Sequence, residues 1–140
     1  MTFRVLVTAR SFCATDGPHH EYLSKSGCTV DLRPPDHPLG APELAALIPG
    51  YDGVILGLDV CDASVIAAAD RLRVISRYGA GYDKVDLEAA TARGIAVTTT
   101  PGANRVAVAE LAIGLLFSLA RRLPQAVSYT HLTLPTSYSV

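Results

Sequence analysis

An α/β fold is predicted for this sequence, built on a doubly wound sheet of five parallel strands, and two observations predict it. Short runs rich in β-branched residues recur at a steady interval, and the segments between them carry helix start and stop signals. Composition agrees. Hydrophobic residues make up 49% of the 140 and charged residues 18%, enough to bury a sizeable core and too apolar for a disordered or collagen-like chain. The length suits one domain and is too short for two full ones.

The predicted strands are FRVLVT (3–8), TVDL (29–32), GVIL (53–56), RVIS (73–76) and IAVT (95–98). Pro42 stands where a first-turn proline belongs, ahead of ELAALI (43–48). Asp62 is placed to cap a helix over 63–69, and Asp86 one over 87–93 that stops at Gly94. Residues 21–26 followed by Gly27 are a weaker case of the same pattern. A long helix is predicted from 105 to about 122, with Asn104 as N-cap and with Arg121 and Arg122 at the end where cations suit the helix dipole. It is apolar on nearly all sides, so it needs cover from further protein. Right-handed crossovers leave few topologies for such a chain, and the flavodoxin-like order is favoured among them. Ligands of doubly wound sheets bind at the carboxyl ends of the strands, which singles out 9–16, 57–62, 77–83 and 99–104.

Several function classes fall away. Twelve Lys and Arg against thirteen Asp and Glu give a net charge of -1, without the overall basic footprint of a nucleic-acid binder. The longest apolar run, 106–120, contains Glu110 and is shorter than the ~20 residues of a membrane span. No secretory signal opens the chain, and Cys13, Cys28 and Cys61 show no close pairing, so a reducing, cytoplasmic setting is expected. His19, His20 and His37 fall in polar, proline-rich connections and His131 in an uncharged tail, so surface positions are expected of all four. No spacing resembles a zinc motif, and no metal site is expected. Cys61 reads as a small buried hydrophobe rather than a reactive thiol.

The most informative loop is RYGAGYD (77–83). Gly79 and Gly81 flank Ala80 directly after a buried strand, which lets backbone come close to a ligand and lets N–H groups cradle an anion such as a carboxylate. The same pattern also suits a tight strand-to-helix turn that needs glycine for conformation alone, and both readings stand at this point. Asp59, at the end of the third strand, raises a different class, a phospho-acceptor signalling domain. That class needs an acidic pair after the first strand and a lysine after the last, where this chain has ARS (9–11) and TTP (99–101). A flavin-binding carrier needs a hydroxyl-rich phosphate loop, of which Thr8, Ser11 and Thr15 are a faint version.

The stretches VISRYGAGYDKVDLEAATARGIAV (74–97) and TTPGANRVAVAELAIGLLFSLARRLP (99–124) resemble the D-isomer-specific 2-hydroxyacid dehydrogenases, closest to phosphoglycerate-dehydrogenase-like members; LAALIPGYDGVILG (44–57) fits more loosely. The resemblance implies a two-domain oxidoreductase that moves a hydride between NAD, or NADP, and a small 2-hydroxy or 2-oxo acid. It implies substrate-carboxylate contacts at Gly79, Ala80 and Gly81, and cofactor contacts at Ala80 and Val108. It divides the chain into 1–100, the N-terminal part of the substrate-binding domain, and 101–126, a hinge and the first long helix of a Rossmann cofactor domain, and it implies a homodimer.

The departures from the family pattern are specific. No G-x-G-x-x-G occurs in the chain, and no histidine stands in the context of the family's catalytic one. Where phosphoglycerate-specific members often carry an arginine, this chain has Gly57. All 25 charged residues fall between Arg4 and Arg122; the end of the resemblance at Ala126 leaves VSYTHLTLPTSYSV (127–140), without an alanine in an alanine-rich chain. These fourteen residues read as a translated adapter rather than native sequence, and the whole as an N-terminal fragment without activity of its own.

Overall fold

The computed structural model describes residues 2–132, with side chains to residue 128. In chain order the elements are β1 (Phe3–Val7), α1 (Arg10–Ala14), α2 (Pro18–Lys25), β2 (Cys28–Leu32), α3 (Ala41–Leu47), β3 (Gly53–Leu56), α4 (Ala63–Ala68), β4 (Val74–Arg77), α5 (Leu87–Ala92), β5 (Ala96–Thr98), α6 (Arg105–Ala120) and α7 (Leu123–Leu132). They fall into two units, Met1–Gly102 and Ala103–Val140.

In the first unit all four strand pairings are parallel and the order is β2-β1-β3-β4-β5, the doubly wound arrangement expected from the sequence. Alternation along the strands divides the core between the two faces. Leu6, Val54, Leu56 and Ile75 turn to the face where Leu44, Val65, Ile66 and Ala90 of α3, α4 and α5, with the α3 C-cap Ile48, cover them. Val5 and Val7 turn to the other face, under Phe12 of α1 with Leu23 of α2 alongside. Burying one such leucine or isoleucine stabilises the fold by about 1.5–3 kcal/mol, so the first face carries most of the packing energy.

Local chemistry sets the helix ends. The Asp62 carboxylate accepts from Ser64 N at 2.9 Å and Val65 N at 3.2 Å, and Asp86 accepts from Ala89 N at 2.9 Å, each cap contributing about 1 kcal/mol. The Ser64 hydroxyl, then the Val65 amide, hold the Asp62 carboxyl below its usual range. At α3 Glu43 reaches back to Gly40 N at 2.8 Å. Gly94 follows the α5 cap with φ +65°, the left-handed turn a C′ glycine makes. The strand edges lie within a residue or two of their sequence-based positions.

The departures are at the connections. Residues 10–14, expected as loop, form α1, and α2 begins at Pro18, so His19 and His20 stand on a helix rather than in a connection. In the second unit Asn104 occupies the N-cap position of α6, but its side chain makes no capping bond and only its carbonyl takes part, accepting from Val108 N at 2.9 Å. α6 stops at Ala120, so Arg121 is the C-cap and Arg122, at φ +50°, lies past the helix rather than in its last turn. Val106, Val108, Leu111, Ile113, Leu116 and Phe117 of α6 are exposed, in keeping with its uniform hydrophobicity. α7 runs across the junction of Ala126 and Val127; the rest of the tail reading, 133–140, lies outside the described residues. No described helix is long and apolar enough to cross a membrane.

Candidate functional site

The carboxyl ends of β1, β3 and β4 are joined by side chains that the sequence pattern does not connect. Asp59 is buried, at 3% exposure, and its carboxylate accepts from Thr8 Oγ at 2.6 Å, Leu39 N at 2.8 Å and Gly57 N at 3.0 Å. Both oxygens are thereby engaged, which corrects the phospho-acceptor reading: the group is a brace between strand ends, not an exposed acceptor. The flavin reading fails at the same place. Thr8 is committed to Asp59, and residues 10–14 are helical, with Thr15 donating to Ser11 O at 2.8 Å rather than lining a phosphate loop.

The loop after β4 is pinned where it leaves the strand. Tyr78 N donates to Leu56 O at 2.9 Å, and Thr100 N donates to Gly79 O at 3.0 Å. Farther on, Cys61 N donates to Lys84 O at 2.8 Å and Asp86 N to Cys61 O at 2.9 Å, a parallel bridge that ties the loops after β3 and β4 together. Lys84 Nζ adds a bond to Leu58 O at 3.2 Å. Cys61 itself is fully buried; desolvation first, then the nearby Asp62, Asp59 and Asp86 charges, push its thiol up to about 12, as an inert packing residue requires.

Between those anchors the three small residues differ in role. Gly79 has φ +152°, a conformation that side chains rarely adopt, and its N–H is turned onto Arg77 O at 2.8 Å. A Cβ there would also overlap the Arg77 guanidinium. Ala80 and Gly81 are exposed, and among the described residues their N–H groups have no protein partner. The arrangement leaves both readings of the motif standing: Gly79 makes the turn, and the two following amides have no partner among the described residues. Arg77 folds back over the loop, its Nη1 donating to Tyr78 O. Sequence reasoning gave this cation no role, although its place two residues before Gly79 was the available signal. Two unpartnered amides close to a guanidinium can hold a carboxylate, against the like charge of the Asp83 carboxylate near Gly81.

Val108, the other expected cofactor contact, lies on α6 in the second unit and is 55% exposed. His19 and His20 sit against Phe12 with Nε2 atoms 3.3 and 3.2 Å from Phe12 O and Thr15 O, while His37 is exposed near Glu43. Among the described residues no group of three or more His, Cys, Asp or Glu is placed to hold a metal ion.

Comparison with known proteins places these features in context. The model for the catalytic domain of D-isomer specific 2-hydroxyacid dehydrogenases matches residues 7–137, a span that runs into the segment 127–140. A D-3-phosphoglycerate dehydrogenase of Archaeoglobus fulgidus is 38% identical over 107 residues, 76% of this chain and 20% of that protein. The crystal structure of the TT0316 protein from Thermus thermophilus superposes with a TM-score of 0.84 at 36% identity, over 97% of this chain and 42% of that one. The NAD+-bound 3-phosphoglycerate dehydrogenase of Entamoeba histolytica gives 0.71 at 32% identity, over 84% and 39%. The chain thus spans about a fifth of that curated relative and about two fifths of the solved chains. With its sheet order, its loop after β4 and a family match over nearly its whole length, the chain belongs to the D-isomer-specific 2-hydroxyacid dehydrogenase family, over the catalytic domain.

Proposed function

We propose that this chain is the substrate-binding part of an NAD-dependent oxidoreductase that moves a hydride to or from carbon 2 of a small D-2-hydroxy or 2-oxo acid, in the manner of phosphoglycerate dehydrogenases. The observation that carries the proposal is the pair of unpartnered amides of the exposed Ala80 and Gly81, following a glycine that lies against the Arg77 guanidinium and whose conformation no other residue takes easily. Every substrate of this class has its carboxylate bonded directly to the reacting carbon. Anchoring that carboxylate on two fixed N–H groups sets the position of carbon 2 without contacting it, which is positioning catalysis in its simplest form.

NAD, or NADP, would supply the hydride acceptor or donor. In this reading Ala80 is a cofactor contact and Val108 a contact on the nicotinamide side, each supported by the resemblance of 74–97 and 99–124 to the family. These 140 residues contain no G-x-G-x-x-G, so they do not by themselves fit the pyrophosphate. Gly57 leaves no arginine at the position where phosphoglycerate-specific relatives often have one; a Cβ there would meet Ala9 Cα at 3.3 Å. The substrate is therefore proposed at the level of the class. The exposed apolar surface of α6 supports a homodimer, and three free cysteines support a cytoplasmic setting.

Titration of the 140-residue protein with oxalate, a minimal mimic of a 2-oxo acid, tests the reading by ¹⁵N NMR. Saturable shifts at the Ala80 and Gly81 amides are expected. No binding, or saturable binding that leaves these two amides unmoved, rejects it.

A further inference from the structure

The φ of +152° at Gly79 frees the loop from side-chain clashes, but glycine also imposes little torsional preference of its own. The direction in which the Ala80 and Gly81 amides point must then be fixed by what holds the neighbours of Gly79. On the far side that is the bond from Thr100 N to Gly79 O. On the near side it is Tyr78, whose ring meets the Phe12 ring edge to face at 5.8 Å and 89°. Tyr78 is 45% exposed; its backbone is held by the bond to Leu56 O and by Arg77 Nη1 donating to Tyr78 O, and the contact with Phe12 is what holds its ring.

Phe12 is a firm support. It is buried on α1 with Val5, Val7 and Ala9 beneath it, and His19 and His20 flank its ring edge-on at 4.5 and 5.1 Å. The contact also crosses the sheet: α1 follows β1, the Tyr78 loop follows β4, and β3 lies between them in the strand order. Resting on the carboxylate reading given above, we propose that Phe12 is a positioning residue for the substrate loop, acting through Tyr78 to hold the Gly79 peptide and so aim the Ala80 and Gly81 amides. The ring of Tyr78 is the working part, not its hydroxyl.

Oxalate affinity at the Ala80 and Gly81 amides, measured on the 140-residue chain beside each variant's urea midpoint, tests this. Phe12→Leu and Tyr78→Ala are each expected to weaken oxalate about three- to tenfold, the range for loss of one aromatic pair. Tyr78→Phe should bind as wild type does. The double variant should bind no more weakly than the weaker single one, because both remove the same contact. A purely structural role would lower the urea midpoint and leave affinity unchanged. Unchanged affinity in both single variants, losses that add, or a weakened Tyr78→Phe each overturn the proposal. If Phe12→Leu does not fold, the Tyr78→Ala and Tyr78→Phe pair decides alone. Wild-type protein that shows no shift at these amides overturns the carboxylate reading itself, an outcome distinct from wild-type binding that the variants retain.

Discussion

Thr8 Oγ donates to Asp59 Oδ2 at 2.6 Å, with both residues buried and 51 positions apart in the chain. The bond closes the gap between β1 and β3, the point in this strand order where the crossovers change direction and where doubly wound sheets commonly place a ligand. Here that point is filled by the protein's own carboxylate and its three donors. Candidate binding chemistry is displaced sideways, to the loop after β4.

Removing the carboxylate should therefore act on stability. Asp59→Ala leaves the Leu39 and Gly57 amides and the Thr8 hydroxyl without their acceptor in a buried place, and a loss of about 3–5 kcal/mol is expected in urea unfolding. Thr8→Val removes one donor and should cost about 1–2 kcal/mol. A loss below about 1 kcal/mol for Asp59→Ala would show that the brace carries no load.

This brace also marks where sequence reading stops. The helix caps at Asp62 and Asp86 and the left-handed stop at Gly94 are legible because each is a bond within three or four residues, where residue type and spacing are the whole geometry. The sheet is legible because alternation is local too. By contrast, the Asp59 partners, the Arg77 guanidinium folding over Gly79 and the contact of Phe12 with Tyr78 depend on the meeting of strand ends, and no periodicity encodes them. Helix α1 escaped for a further reason: at five residues without a side-chain cap, it is held by Phe12 packing under tertiary contact rather than by propensity. The loop after β4 is legible from its glycines, yet the difference within it, a turn at 79 and unpartnered amides at 80 and 81, is set by the fold.

The two loop glycines should separate cleanly on substitution. Gly79→Ala forces a side chain into φ +152° and onto the Arg77 guanidinium, so about 1–3 kcal/mol of stability should be lost, together with oxalate binding. Gly81 has ordinary backbone geometry, and a Cβ there meets only the tip of the Asp83 side chain, at 3.2 Å. Gly81→Ala is expected within about 0.5 kcal/mol of wild type. Equal losses at both positions in urea unfolding would refute the assigned roles.

The Cys61 thiol gives a prediction in pH. Burial raises it from 9.0 to about 12, so between those values the unfolded chain gives up a proton that the folded chain keeps. The folded state then binds more protons than the unfolded one, and stability falls as pH rises through that window. Below pH 9 this contribution is intact. Cys61→Ala should flatten the decline in melting temperature between pH 9 and 11, and in wild type at pH 8 a maleimide should leave Cys61 unmodified until urea unfolds the chain. Labelling of Cys61 in the folded protein would contradict the burial assigned to it.

The last prediction separates binding from turnover. Oxidation at carbon 2 of a hydroxy acid needs an acid/base group for the hydroxyl proton and a nicotinamide held against the carbon. In the proposed reading the described residues supply only the carboxylate anchor, at Ala80 and Gly81. His19 and His20 are committed to the carbonyls of Phe12 and Thr15, His37 stands exposed beside Glu43, and His131 lies beyond the described side chains. The 140 residues carry no glycine-rich pyrophosphate loop. The 140-residue polypeptide is therefore expected to bind oxalate equally well with and without NAD, and to change nicotinamide absorbance no faster than buffer does with D-lactate, D-glycerate or 3-phosphoglycerate. A saturable rate with any of these acids, lost in Gly79→Ala, would mean that the chain holds an acid/base group and a cofactor site that these side chains do not reveal. Oxalate affinity that rises with added NAD would mean the same for the cofactor alone.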